Sequence, residues 1–231
     1  QFMVRAMLIA VLITIGLQGN AQTESRITRY NYFFLEAIRQ QEMGNLAAAF
    51  DLLNHARDIN PKAPEVYYEI AGYYVAMQNS KAARYNFEQA AKLAPDNSTY
   101  LEKLGQFYIS QNNYEDALTT YEQLYTSNKT REDVLQILYQ LYGAQNNYKK
   151  MIEMIERMEL LSGASEQLSL TKMQIYEQMG DKRKAQAELL RLVQKNPLEL
   201  NYRVMLGNWL LQNNKKKEAY NEYQTVLKED P

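Results

Sequence analysis

Tyrosines, side-chain amides and lysines are the groups from which chemistry could be built in this sequence, and each recurs at a fixed spacing. Of the 19 tyrosines, four (Tyr74, Tyr108, Tyr142 and Tyr176) are separated by one constant interval. Reactive phenols would need an activating base beside them. At helical spacing, on a face that packs two helices, a tyrosine is instead an apolar body with a polar tip. Amides form a second column at Gln106, Gln140, Gln174 and Asn208, each two residues after a core leucine or its substitute. On a helix of about 100° per residue, Gln106 points about 200° away from Leu104, and so away from the partner helix. A side-chain amide offers both donors and an acceptor, so a stack of them suits the backbone of an extended peptide. The plainer reading is a solvated surface.

The third recurrence is basic. Lys149 and Lys150, then Lys182, Arg183 and Lys184, then Lys215, Lys216 and Lys217 fall at nearly the same phase, where an earlier segment has Glu115 and Asp116. Lysines in the first turn of a helix oppose its dipole by about 0.3–1 kcal/mol each. Their repetition as a ridge therefore suits either a solvated face or a contact for an acidic partner or anionic headgroups.

Other candidates carry less. The sequence has no cysteine and a single histidine, His55, which excludes thiolate chemistry and leaves no His-rich metal set. Glycines are scattered, with no phosphate-binding loop among them. Glu153, Glu156 and Glu159 share a helix with Lys149 and Lys150, the mixture of a solvated face. No cofactor is expected. A net charge of −1 argues against a nucleic-acid field over the whole molecule, while 46% hydrophobic residues support a globular core.

The elements that must position these columns follow from a period. The step from Asn60-Pro61 to Ala94-Pro95 is the same as the step from Pro197 to Pro231, and the same as that between the tyrosines. Ala49, Ala83, Ala117, Met151, Ala185 and Ala219 form one column in this register; Leu53, Phe87, Tyr121, Ile155, Leu189 and Tyr223 form another. Six copies start near residues 30, 64, 98, 132, 166 and 200 without an insertion. Within a copy, Leu101, Leu104, Gly105 and Tyr108 keep the i, i+3, i+4, i+7 rule, and Ala117, Tyr121 and Leu124 repeat it. Between them Gly44, Asn112, Asn146, Gly180 and Asn214 supply residues that accept the left-handed conformation, with Gln78-Asn79 slipping by one. Each copy is expected to be helix, turn, helix.

The pattern Leu101-x2-Leu104-Gly105-x2-Tyr108 followed by Ala117-x3-Tyr121 resembles the tetratricopeptide repeat (TPR) family, as does the second copy with Tyr67, Ile70, Ala71, Tyr74, Ala83, Phe87 and Pro95. The resemblance covers residues 30–231 and implies an all-α, right-handed TPR superhelix (α-solenoid) of about six repeats. It further implies a protein–protein interaction scaffold whose first helices line a concave groove, which would place the amide column inside it. The lysine-and-asparagine clamp of some TPR proteins is not matched, because Glu102, Gln136 and Leu170 stand where its lysine is expected. Copies four and five depart, with Tyr139, Met173 and Met151 in columns normally small, so paired helices there are expected to be pushed apart or rotated. Glu36 and Gln40 make copy one polar, as a cap.

The N-terminal stretch, 1–21, differs in kind. After Arg5, residues 6–17 form an uncharged run, followed by Gly19-Asn20-Ala21, the order of a secretory signal with a new terminus at Gln22. A membrane span needs about 20 apolar residues, so an uncleaved inner-membrane anchor is the alternative. The expected organisation is a signal at 1–21, a linker at 22–29 and the solenoid from 30, continuing beyond Pro231. The expected function is a non-enzymatic scaffold binding a peptide or protein segment in a bacterial envelope, in the periplasm. Alternatives are a docking arm for a domain beyond Pro231, or a binder of acidic partners or anionic membrane through the basic ridge. No specific nucleic acid is expected.

Overall fold

The computed structural model of the protein describes the backbone of residues 2–229 and side chains from residue 21 to 229. Helices α1 (Phe2–Glu42), α2 (Leu46–Ile59), α3 (Pro64–Ala76), α4 (Ser80–Leu93), α5 (Ser98–Ser110) and α6 (Tyr114–Ser127) come first. They are followed by α7 (Glu132–Ala144), α8 (Tyr148–Ser162), α9 (Glu166–Gln178), α10 (Lys182–Lys195), α11 (Leu200–Gln212) and α12 (Lys216–Glu229), with no strand among the described residues. From α3 onward the first helix of each pair starts at a constant interval, at Pro64, Ser98, Glu132, Glu166 and Leu200. The all-α helix-pair architecture expected from the sequence is the one observed.

The chain divides into two compact units, Gln1–Thr120 and Tyr121–Pro231. In the first, α1 packs on α2 and α3 on α4, and α2 and α4 stack on α3 and α5 in turn. Its core gathers Tyr30, Ala37, Leu53, Ala56, Val66, Ile70 and Ala90. In the second unit α7 packs on α8, α9 on α10 and α11 on α12, and α8 and α10 stack on α9 and α11. Ile155, Ile175, Ala185, Leu189, Leu206, Trp209 and Ala219 form its core. Ala49, Ala83, Ala117, Ala185 and Ala219 are all at 0% exposure, which explains a column of alanine: any larger side chain would meet the partner helix.

The hairpins are cut to one pattern. Gly44, Gln78, Asn112, Asn146, Gly180 and Asn214 all have positive φ, between 53° and 80°. In the third pair the Asn112 N–H donates to Ile109 C=O at 2.9 Å and the Asn113 N–H to Tyr108 C=O at 2.8 Å, and the other five turns repeat both bonds. This double bond closes the last turn of the first helix and satisfies carbonyls that would otherwise be orphaned. The following residue then caps the second helix. Side-chain oxygens of Asn79, Asn113, Asn147 and Asp181 accept from the backbone N–H of Ala82, Asp116, Lys150 and Lys184 at 3.1, 3.4, 3.2 and 3.0 Å.

Two sequence expectations are corrected. The second turn does not slip: Gln78 itself takes the left-handed position at φ 57°, because the backbone bonds fix the register more strongly than side-chain preference does. Residues 22–29, expected as a linker, are helical and continuous with α1; the stretch from Ala21 to Met43 has neither glycine nor proline to stop it. The side chains of residues 6–17 lie outside those described; no helix among the described residues is long and apolar enough to cross a membrane.

Gln78 is the strained member of the turn column, since a left-handed L-residue other than Asn costs about 1–2 kcal/mol. Replacing it by glycine, which also loosens the unfolded chain, leaves an expected net gain of about 0.5–1 kcal/mol for Gln78→Gly and a loss for Gln78→Val. Urea unfolding midpoints check this; a Gly variant no more stable than wild type contradicts the strain.

Candidate functional site

The side chains with chemical potential divide into a buried polar set and an exposed set. Tyr108 and Tyr142 are buried, and each reaches back to a carboxylate on the preceding helix. The Tyr108 hydroxyl donates to Glu88 Oε1 at 2.6 Å and the Tyr142 hydroxyl to Glu122 Oε1 at 2.9 Å. Burial, and after it the hydrogen bond and charge of the glutamate, pushes both phenols well above their usual range. These phenols hold their protons and serve as latches between consecutive helix pairs. Arginines complete the latches: Arg84 pairs with Glu88 at 2.7 Å and lies 5.3 Å from the Tyr108 ring centre, and Arg157 reaches Glu122 at 3.4 Å. His55 packs edge-on against Phe33 with ring centres 4.3 Å apart, a contact rather than a reactive position.

One buried cluster goes beyond the columns read from the sequence. Lys172 occupies the core column of Ile70, Leu104, Leu138 and Leu206, yet its side chain is only 4% exposed. Its ammonium lies 2.8 Å from Glu159 and 3.1 Å from Glu188, while Arg191 lies 2.9 Å from Glu159 and 2.8 Å from Glu188. Arg191 also donates to the Ser169 hydroxyl at 3.0 Å. Each carboxylate thus bridges both cations, tying α8, α9 and α10 together. Glu159, which the sequence places on a solvated face, is a member of this cluster. Burial opposes its charge, but the hydrogen bonds and charges of Lys172 and Arg191 outweigh that and hold its carboxyl below the usual range. The signal that finds the cluster in sequence is a charged residue in an apolar column.

The exposed set is where the amide column lies. Gln106, Gln140, Gln174 and Asn208 are all exposed on first helices. Gln106, in the first unit, lines a groove of about 440 Å³ with Tyr68, Glu69, Gly72, Lys103 and Phe107. Asn208, in the second unit, lines a groove of about 400 Å³ with Met173, Glu177, Val204, Met205 and Trp209. The Asn208 amide oxygen also accepts from the Tyr223 hydroxyl at 2.7 Å. Gly72 stands in the Gln106 column one repeat earlier, where it leaves the groove without a side chain.

The basic residues start α8, α10 and α12. Lys150 pairs with Glu153 at 2.8 Å, the Lys184 ammonium sits 5.4 Å from the Tyr176 ring centre, and Lys215 donates to Gln186 at 2.6 Å. Lys149, Lys182, Arg183, Lys216 and Lys217 are exposed. Among the described residues no group of His, Cys, Asp and Glu could hold a metal ion.

Known proteins share this repeat. The tetratricopeptide repeat family matches residues 68–131 and 170–231. No curated protein matches the chain by sequence. Among solved structures, a tetratricopeptide repeat protein from Parabacteroides merdae is similar at TM-score 0.53 and 16% identity, over 88% of this chain and 81% of that one. YrrB, described as a TPR protein with an unusual peptide-binding site, is similar at TM-score 0.51 and 15% identity, over 74% and 88%. The Naa15/Naa10 complex bound to HypK-THB gives TM-score 0.62 and 15% identity, over 87% of this chain and 32% of that one. At these identities the likeness concerns the fold.

Lys172→Met strands two carboxylates on one guanidinium and is expected to cost about 3 kcal/mol. Adding Glu188→Gln should then cost less than it does alone, a coupling read by a double-mutant cycle. Because the Glu159 carboxyl is held low in the folded state, its stabilisation is present above the ordinary glutamate range near pH 4.3 and is lost as pH falls through the lowered value. Denaturant unfolding between pH 2 and 6 (about the window in which carboxylates titrate) should show Glu159→Gln with a flatter acid limb. Parallel limbs for mutant and wild type contradict the cluster's role.

Proposed function

The chain belongs to the tetratricopeptide repeat family, and from that premise we propose that it is a non-enzymatic interaction scaffold that binds an extended peptide or protein segment along its first helices. The observation that carries this is the placement of the amide column: Gln106 and Asn208 each line a groove of about 400 Å³ or more, one in each unit. Such a groove matches ligand sites in size, and rings beside polar side chains, Tyr68 and Phe107 in one groove and Trp209 in the other, suit a backbone held by amides and side chains seated on rings. The phenols offer no competing chemistry, because the hydroxyls of Tyr108 and Tyr142 are engaged by glutamates. Extended peptides docked on repeat surfaces are also the use to which stacked helices lend themselves, and YrrB is described as having a peptide-binding site.

The place of action is proposed to be the bacterial envelope, with export supported by the uncharged run at residues 6–17 after Arg5. A second reading draws on Lys149, Lys182, Arg183, Lys216 and Lys217, which are exposed at helix starts. Under it the second unit contacts an acidic partner or anionic headgroups, and binding falls steeply with salt.

The test compares wild type with the Gln106→Arg, Gln140→Arg and Gln174→Arg triple variant in pull-downs from an envelope fraction. Loss of partners in the triple variant with unchanged thermal unfolding is expected. Retention of every partner contradicts the groove, and retention that disappears on raising salt favours the basic ridge.

A further inference from the structure

Within the first unit, Glu69 and Gly72 share a position that no other pair of described residues holds among these grooves: both line the 440 Å³ groove toward α5 and a second groove of about 260 Å³ toward α1 and α2. The second groove is closed by Gln41, Leu46, Tyr73 and Ala76. Gly72 is a glycine in the middle of α3, where it weakens the helix relative to alanine. Internal packing does not demand it, because a Cβ there would meet nothing within 4 Å. What it does is leave the floor between the grooves open to close approach by another chain.

The walls are aromatic. Tyr68 and Tyr100 have ring centres 5.1 Å apart, Tyr68 and Phe87 6.3 Å, and Phe87 and Phe107 5.4 Å. On the other side Tyr73 packs against Phe50 at 5.4 Å. Among these rings sits one carboxylate. The Gln41 side chain lines the smaller groove beside Glu69 and favours its charged form, and it accepts from the Tyr73 hydroxyl at 3.1 Å; no cation among the described residues pairs with Glu69. Lys103 lines the larger groove but makes no ion pair with Glu69. Burial pushes the Glu69 carboxyl up, against the lowering effect of Gln41. Its charge reaches the rings around it: burial first, and then Glu69, raises the phenols of Tyr68 and Tyr73.

A half-buried carboxylate without a counter-charge is costly, and ring faces attract cations. We propose that Glu69, with Tyr68 and Tyr73, forms a cation-selective pocket that receives a lysine or arginine side chain of a partner protein segment lying across Gly72. The occupant is fixed by charge complementarity: the unpaired carboxylate and the π faces both select a cation, and the two grooves on either side of Gly72 accommodate the chain that carries it. The inference rests on the peptide-binding reading and names the chemistry of its partner.

The probes are Ala/Ser/Leu octapeptides with a central arginine, lysine, citrulline or leucine, titrated into nitrogen-15-labelled protein with the backbone amide of position 72 as reporter, read together with that of Lys103 in the Gly72→Leu variant. Arginine and lysine peptides should move Gly72 and bind at least about five-fold tighter than citrulline and leucine peptides. Glu69→Gln should erase that difference. Gly72→Leu should abolish binding of all four while leaving thermal unfolding unchanged or higher, since the added side chain enters open space on a helix. If all four peptides bind alike and Glu69→Gln changes nothing, but Gly72→Leu abolishes binding, the groove stands and the cation pocket is overturned. If free arginine amide binds as tightly as the arginine octapeptide, the protein segment is overturned. If no peptide moves Gly72, both the pocket and the peptide-binding reading of this unit fall.

Discussion

The left-handed residue that ends each first helix is the constraint from which the rest of the architecture follows. Two backbone hydrogen bonds form around it, and the next residue becomes the cap of the second helix, as Asn79, Asn113, Asn147 and Asp181 do. Closing one helix and opening the next within two residues fixes the phase of both. With phase fixed, the alanine column meets the partner helix, and the first-helix surface two residues after the core leucine is left exposed. The same backbone requirement overrides side-chain preference at Gln78, which adopts a conformation better suited to glycine or asparagine. Function on this scaffold is thus a matter of what the outward columns carry.

Between helix pairs the specificity is polar. Tyr108 to Glu88 and Tyr142 to Glu122 repeat one hydrogen bond at one spacing, and in the second unit Lys172, Arg191, Glu159 and Glu188 replace an apolar layer by crossed ion pairs. Such pairs add less net stability than their Coulombic attraction suggests, because Lys172, Glu159 and Glu188 are largely removed from water. They do penalise any other stacking, since a shift of one helix would leave a buried charge unpaired. In this column Ile70, Leu104, Leu138 and Leu206 are apolar, Lys172 interrupts them with a charge, and Glu36 of the first copy is the other charged member.

Much of this is legible in the sequence because the repeat shows each position six times. The alanine column, the helix starts and five of the six left-handed turn residues can be read directly. The sixth is not, because Asn79 looks like a better turn residue than Gln78, whereas the register is set by backbone bonds that sequence does not display. Lys172 escapes for a different reason: its partners Glu159 and Glu188 lie on other helices, so only comparison with the apolar column reveals it. Residues 22–29 look like a linker because they precede the periodic region, although their composition permits a helix. The grooves are partly legible through Gln106 and Asn208. Gly72 is not, since a missing side chain leaves no mark in a column of amides.

The outward face of the first helices is the surface proposed to meet a partner. Site-specific photo-crosslinking in cells tests this directly, with a photoreactive residue at position 106 on α5 or at position 119, exposed on the second helix α6. A discrete adduct from position 106 and none from position 119 is the predicted result. An adduct from position 119 alone, or equal adducts from both, would contradict it.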